Sequence, residues 1–410
     1  MEAGMPSEVA LVPERVLVGG ELTPERGVGV WVAGEWIREV VPVADLPSHL
    51  PRWELPGATL MPGLIDAHVH LDLPGDGSTF AILSEGDETL AVLAAANART
   101  ALEAGVTTVR DCGSRGQSVY AVRRAAGMGW GELPDVVAAG APLTITGGHT
   151  WPMGGEADGP EGCRLAVRRR VRDGCDFVKV IHSGGGTPNT APWRPSFRPE
   201  ELRAIVDEAH RLGRRVTVHC LCADAIRQAV EAGADQIEHG YFYVAPDRQE
   251  VDRDTIDLLA RTGVAVTPTL SVAECQVQAE PGDVRWRHNA EAGRRMAAAM
   301  VEAGVRLVAG TDAGWRYVGF DAVRGEIELL AQAGMGSRGA LAAATCASAS
   351  ALGLKDRGRI APGMRADLLA VDGDPLGDLA HLRRVRLVLR AGRPVPQGGQ
   401  ASSGGDSGKQ

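Results

Sequence analysis

Two histidines one residue apart, His68 and His70, end an apolar run that begins at Met61. If that run is a strand, alternation puts both imidazoles on one face, where two neutral rings can bind one metal ion. Alone, such a pair reads equally well as two packed rings. Other candidate ligands follow at the ends of later apolar runs. His219 comes after Arg215-Val216-Thr217-Val218, His239 after Gln236-Ile237-Glu238, and Asp312 after Val308-Ala309-Gly310-Thr311. Lys179 lies inside Phe177-Val178-Lys179-Val180-Ile181. An ammonium there is costly unless neutralised or partnered. A salt bridge to a buried carboxylate is one solution. Reaction with carbon dioxide is another, because the resulting carbamate is anionic and its two oxygens suit a bridge between two cations. Together the six residues predict a metal centre.

Residues so far apart in the chain need a scaffold that gathers strand ends. From about 62 to 355 a unit repeats in which a helix-like segment ends at glycine and a buried β run follows. Glu103-Ala104-Gly105 precedes Val106-Thr107-Thr108-Val109, and Arg172-Asp173-Gly174 precedes the run of Lys179. Gly213, Gly233, Gly263 and Gly304 punctuate the chain in the same way. Glycine past a helix end takes the left-handed cap conformation without a Cβ penalty. Leu202, Ile205, Val206, Ala209 and Leu212 fall on one helical face. With Leu64-Ile65-Asp66-Ala67 and Val136-Val137-Ala138-Ala139 added, the candidate strands number about eight. Alternating strands and helices imply a parallel sheet, and eight units close a (β/α)8 TIM barrel, an α/β fold with its chemistry at the strand C-termini.

Residues 1–61 hold short β runs (Arg15–Val18, Val28–Val32, Trp36–Val40), and 356–396 return to β with Asp367–Val371 and Val385–Leu389. Both ends are expected to build one small antiparallel β-sandwich domain into which the barrel is inserted. The Gly/Ser-rich stretch 397–410 reads as a disordered tail.

The length of 410 residues suits a large barrel with an appendage, and 44% hydrophobic residues are enough for a sizeable core. The net charge of -9 argues against a nucleic-acid partner. Arg168-Arg169-Arg170 and Arg383-Arg384 read as solvated faces. Seven scattered cysteines do not form a disulfide framework, and Cys220 and Cys222 are spaced as C-x-C rather than C-x-x-C. No signal-peptide pattern or bilayer-length apolar run is visible. The expected setting is therefore cytoplasmic, with a small-molecule substrate, no membrane, and room for a homo-oligomer.

Met61-Pro62-Gly63-Leu64-Ile65-Asp66-Ala67-His68-Val69-His70, Ile237-Glu238-His239-Gly240, Gly310-Thr311-Asp312-Ala313-Gly314 and Gly358–Leu368 resemble the amidohydrolase superfamily. Arg110-Asp111-Cys112-Gly113, Gly147-Gly148-His149 and the Lys179 run with Gly184-Gly185 are similar to its branch of prolidase-type dipeptidases and carboxypeptidases, related to imidazolonepropionase. The resemblance implies two divalent ions, zinc by expectation. His68, His70 and Asp312 would hold one, His219 and His239 the other, with carboxylated Lys179 and a hydroxide bridging them. Coordination lowers the pKa of bound water from ~15.7 toward ~7. Asp312 would then shuttle the proton to the leaving amine. Deaminase members often carry Glu three residues after the fifth-strand His, where this chain has Cys222.

On the substrate side, His149 reads as a hydrogen-bond donor to a carbonyl or carboxylate, or as a residue that orders its loop. Tyr241 reads as a carbonyl polariser or a packed ring, His182 as a pocket residue or a supporting one, and Arg316 as a partner for a substrate carboxylate or a surface arginine. Trp151 and Trp193 suit covers for an apolar group. Leu221 stands where prolidase-type relatives often have Tyr. The expected reaction is hydrolysis of an amide-type C–N bond in an N-acyl amino acid or dipeptide. The rivals are a deaminase or cyclic-imine hydrolase, a lactone, carbamate or organophosphate hydrolase at the same centre, and a non-catalytic barrel.

Overall fold

The computed structural model describes residues 7–396 and is mixed α/β. The expected tail, 397–410, lies outside the described residues. Five strands open the chain: β1 (Glu8–Val18), β2 (Thr23–Glu25), β3 (Val28–Ala33), β4 (Trp36–Pro42) and β5 (Arg52–Pro62). Strands and helices then alternate through β6 (Leu64–Val69), β7 (Val106–Asp111), β8 (Asp135–Ala138), β9 (Phe177–Ile181), β10 (Arg215–Cys220) and β11 (Gln236–His239). A hairpin of β12 (Tyr243–Ala245) and β13 (Arg248–Gln249) precedes β14 (Ala265–Thr267). The last strands are β15 (Leu368–Asp372), β16 (Val385–Arg390) and β17 (Arg393–Pro394).

Strands β6, β7 and β8 form one parallel sheet, and β9, β10, β11 and β14 another. They are buried almost throughout, so they read as continuous apolar runs rather than alternating ones. Backbone bonds join the sheet edges: Asp176 N–H donates to Ala138 O at 2.9 Å, and Leu143 N–H to Lys179 O at 2.8 Å. Residues 305–308, expected as the last barrel strand, and those that follow to 313 bond to the strands on both sides. Val308 N–H donates to Val266 O (3.0 Å), Ala67 N–H to Ala309 O (3.0 Å), and Asp312 N–H to His68 O (2.7 Å).

The helices between strands cover the sheets with one apolar face. In Pro199–Arg211, Leu202, Ile205, Val206 and Ala209 are buried. Proline opens that helix, and Glu201 accepts the Arg198 N–H at 2.8 Å, which satisfies an end group. Gly174 and Gly233 end their helices at φ 98° and 91°, which a side chain would resist.

The chain ends, expected to build a small β-sandwich, share one hydrogen-bonded eight-stranded sheet, ordered β17-β16-β15-β5-β1-β3-β4 with β2 on β1. Its pairing is also not wholly antiparallel, since β1 and β5 run parallel. The cause is β5, which the sequence reading missed because Pro56-Gly57 interrupts it. This strand lies between β1 and β15 and pairs with both, which joins the two chain ends in one sheet. Val9, Leu11, Val30, Leu60, Leu368 and Leu389 give the sheet its own core. Asp135, at the start of β8, meets Arg357, Arg365 and Arg390 from the C-terminal part of the chain. The seven cysteines are unpaired, and no helix among the described residues is long and apolar enough to cross a membrane.

Candidate metal centre

His68 and His70 stand at and just beyond the end of β6, their ring centroids 5.4 Å apart. His239 lies 5.0 Å from His68, and His219 4.6 Å from His239. Oδ1 of Asp312 is 3.1 Å from His70 Nε2 and 3.5 Å from His68 Nε2. Nζ of Lys179 is 3.4 Å from His68 Nε2. All six are buried, and all six line one cavity of about 80 Å³.

One nitrogen of each ring is already engaged. Nδ1 of His68 meets Glu238 Oε2 (2.7 Å), Nδ1 of His70 meets Gly113 O (2.7 Å), Nδ1 of His239 meets Thr269 Oγ1 (2.8 Å), and Nε2 of His219 meets Gly184 O (3.1 Å). Metal-binding imidazoles show this arrangement, with one nitrogen held by a neighbour and the other left with its lone pair. Burial pushes His68 down to about 4. Burial and neighbouring rings push His219 and His239 well below their ordinary range, so these rings are neutral at pH 7. Burial also opposes the charge on His70, but Asp312 outweighs it and raises that ring. For Asp312, burial is overcome by His68 and His70, which hold its carboxyl far below the usual range.

Oδ1 of Asp312 is buried without a hydrogen bond, although two ring nitrogens lie near it. Lys179 is 2% exposed and pairs with no carboxylate among the described residues, so the salt bridge considered for it is missing. Neutral nitrogen donors, a carboxylate oxygen without a hydrogen bond and a buried lysine that meets a ring nitrogen but no carboxylate, all in one cavity, fit a divalent-cation site. His239, Thr269 and Asp312 have φ of 70°, 49° and 62°. Left-handed conformations at non-glycine residues persist where the surroundings enforce them, often at functional sites.

Beneath the rings lies a polar layer that the sequence reading did not identify. Glu238 is fully buried and accepts from Arg110 at 2.6 Å and from the Thr217 hydroxyl, as well as meeting His68. Arg110 also donates to Ala67 O (2.6 Å) and Gln236 Oε1 (3.0 Å). Burial alone would raise the Glu238 carboxyl, but Arg110 and His68 hold it well below its usual range. The available signal was an acid and an arginine inside buried β runs.

His149 lines the same cavity. Its Nδ1 meets Thr187 Oγ1 at 2.7 Å and accepts the Thr187 N–H at 3.3 Å, so the proton belongs on Nε2. Burial pushes this ring down to about 3. Tyr241 also lines the cavity, but its hydroxyl donates to Thr269 O at 2.8 Å and is spent on that loop. Arg316 lines an adjoining cavity, with its guanidinium 5.3 Å over the ring of Trp286. His182 is corrected: it lines neither cavity. Its ring stacks on Phe197 at 6.4 Å, and Nε2 meets Gln228 Oε1 at 3.1 Å. Lys179 and Ile181 face the cavity, so alternation turns the next residue away.

The sequence profile described as "Amidohydrolase family" matches residues 59–395. The ochratoxinase of Aspergillus niger is 27% identical over 435 residues, covering 93% of this chain and 85% of that protein. The imidazolonepropionase of Paracoccus denitrificans is 29% identical over 400 residues, covering 86% and 90%. A crystal structure of a Xaa-Pro dipeptidase with bound methionine in its active site matches with a TM-score of 0.84 at 27% identity, covering 95% of this chain and 100% of its own.

Proposed function

We propose, from the premise that this chain belongs to the amidohydrolase family and is a hydrolase of C–N bonds, that it cleaves an amide-type bond in an N-acyl amino acid or dipeptide with a free carboxylate. The observation that carries this reading is the convergence of His68, His70, Lys179, His219, His239 and Asp312 on one buried cavity. His68, His70 and Asp312 would hold one zinc ion and His219 and His239 a second, and Lys179, carboxylated, would complete the donor set. When bound, such ions supply Lewis acidity and acidify water toward neutral pH.

The chain's own residues supply the rest. Asp312, kept ionised by its neighbours, takes a proton at Oδ1 and returns it to the departing nitrogen. His149, protonated on Nε2, donates to the carbonyl oxygen as charge develops there. Tyr241 holds the Thr269 loop, and through it the ring of His239. The backbone bonds of 305–313 to both neighbouring strands support a closed (β/α)8 barrel over about 62–355, with 1–61 and 356–396 as a small β domain.

Metal analysis of protein purified with zinc tests the centre. Two ions per chain are expected, and one or fewer would sink the two-cation assignment. Lys179→Ala should weaken metal binding by at least ~10-fold and remove amine release from N-acyl-L-amino acids. Added short-chain carboxylic acids should restore part of the loss.

A further inference from the structure

A second cavity of about 230 Å³ opens beside the metal centre and shares Gly185, Gly186, Leu221, Tyr241, Val272 and Trp315 with it. The helices Ser271–Ala279 and Val284–Glu302, the β12–β13 hairpin and the loop after Asp312 complete its walls. Leu270, Tyr243, Trp286 and Ala290 make much of the surface apolar or aromatic. An apolar cavity of roughly 150 Å³ already holds benzene, so this one has room for a substituted ring.

Two polar features interrupt that surface. Gln276 is 1% exposed, lines the cavity, and has no hydrogen-bond partner at Oε1. A buried amide left this way is destabilising unless something completes it. Arg316 is the second. Arg285, also on the cavity wall, pairs with Asp283 at 2.6 Å, whereas Arg316 has no carboxylate partner among the described residues. The Arg316 backbone is held at φ 48°. Gly186 packs against it: a Cβ there would crowd the Trp315 ring and come 3.4 Å from the Arg316 guanidinium. A cation with no carboxylate partner among the described residues therefore stands on the second cavity, beside the Gly186 that both cavities share.

We propose that this second cavity selects the substrate. It seats a large aromatic group that carries a hydrogen-bonding substituent toward Gln276, while the substrate carboxylate meets Arg316. Ring and carboxylate occupy the same cavity, so both belong to the same half of the substrate. The released product is then an aromatic amino acid with a polar ring substituent. This rests on the amide-hydrolase reading and narrows it.

Binding of 3-(4-hydroxyphenyl)propanoate to the zinc-loaded full chain tests the cavity apart from the chemistry, because the compound has ring, hydroxyl and carboxylate but no cleavable bond. It should bind about tenfold tighter than 3-phenylpropanoate, and that acid about tenfold tighter than propanoate. Gln276→Leu should erase the first difference, and Arg316→Leu should weaken both aromatic acids about tenfold. Ala290→Trp, which fills the cavity, should erase the second difference. Equal binding of the three acids, or wall variants that leave their order intact, would overturn the inference. Hydrolysis of N-acetyl-tyrosine and N-acetyl-alanine separates the two claims. Selective binding without release of tyrosine would sink the amide reading alone. Preferred cleavage of N-acetyl-alanine with unselective acid binding would sink the aromatic cavity alone.

Discussion

Glu238 touches His68, Arg110 and Thr217 at once, so a single carboxylate links a ring of the candidate centre to the floor of the strands. Glu238→Gln keeps the shape but leaves Arg110 without its counter-charge. Breaking a buried pair from one side costs about 3–5 kcal/mol, and loss of a ligand's supporting acceptor lowers metal affinity about 10–100-fold. Urea unfolding should show the first loss, and chelator competition for zinc the second. A variant with wild-type zinc affinity would mean that Glu238 is a structural counter-ion only. Asp312→Asn addresses the proton instead. It removes the base, so kcat for amine release should fall about 10²–10⁴-fold even in protein selected for full metal content. His149→Gln loses the Nε2 donor and should lower kcat by roughly 10²-fold or more while metal stoichiometry stays at two.

Among the elements, the helix Ser271–Ala279 carries Val272 and Gln276 to the cavities, and Glu326 anchors its start. Glu326 accepts from Leu270 N–H (3.0 Å), Ser271 N–H (2.7 Å) and the Ser271 hydroxyl (2.7 Å). Burial raises its carboxyl from 4.5 to about 7, against the pull of those hydrogen bonds. Between these two values the folded chain holds a proton that the unfolded chain has lost. The Glu326 contribution to stability is therefore fully present below about pH 4.5 and is lost as pH rises through about 7. Wild-type protein should lose roughly 3 kcal/mol relative to Glu326→Gln across that window. Unfolding of both proteins at several pH values measures it, and a constant offset between them would refute the assignment. The helix faces and glycine ends were legible in the sequence because those signals repeat within one or two turns. Strand β5 was not, because Pro56-Gly57 interrupts its run and its partners are distant in the chain.

At the level of the whole molecule, Asp135 collects three arginines, Arg357, Arg365 and Arg390, and ties the start of β8 to the C-terminal segments. Their positive charge depresses its carboxyl despite burial. Asp135→Asn leaves three partly buried cations in one another's field, so unfolding free energy should drop by about 3 kcal/mol in urea. Zinc stoichiometry should be unaffected, because no ligand lies in that cluster. A drop in zinc content would show instead that the small sheet shapes the cavity at the far end of the strands.

Read alone, the chain located its candidate ligands through local signals: apolar runs that stop at His68, His219, His239 and Asp312, and a lysine inside one of them. Run length, period and end residues depend only on near neighbours, so these signals survive without coordinates. Which nitrogen of each ring is free depends on Glu238, Gly113, Thr269 and Gly184, which come from other strands and loops. His239 follows Glu238 directly, yet both reach His68, because φ at His239 is 70° and ends the alternation. His182 fell on the outer face by that same alternation, and Gln276 and Trp286 joined the cavity wall from helices with no motif of their own. These outcomes rest on register and packing between distant segments, which only the folded chain decides.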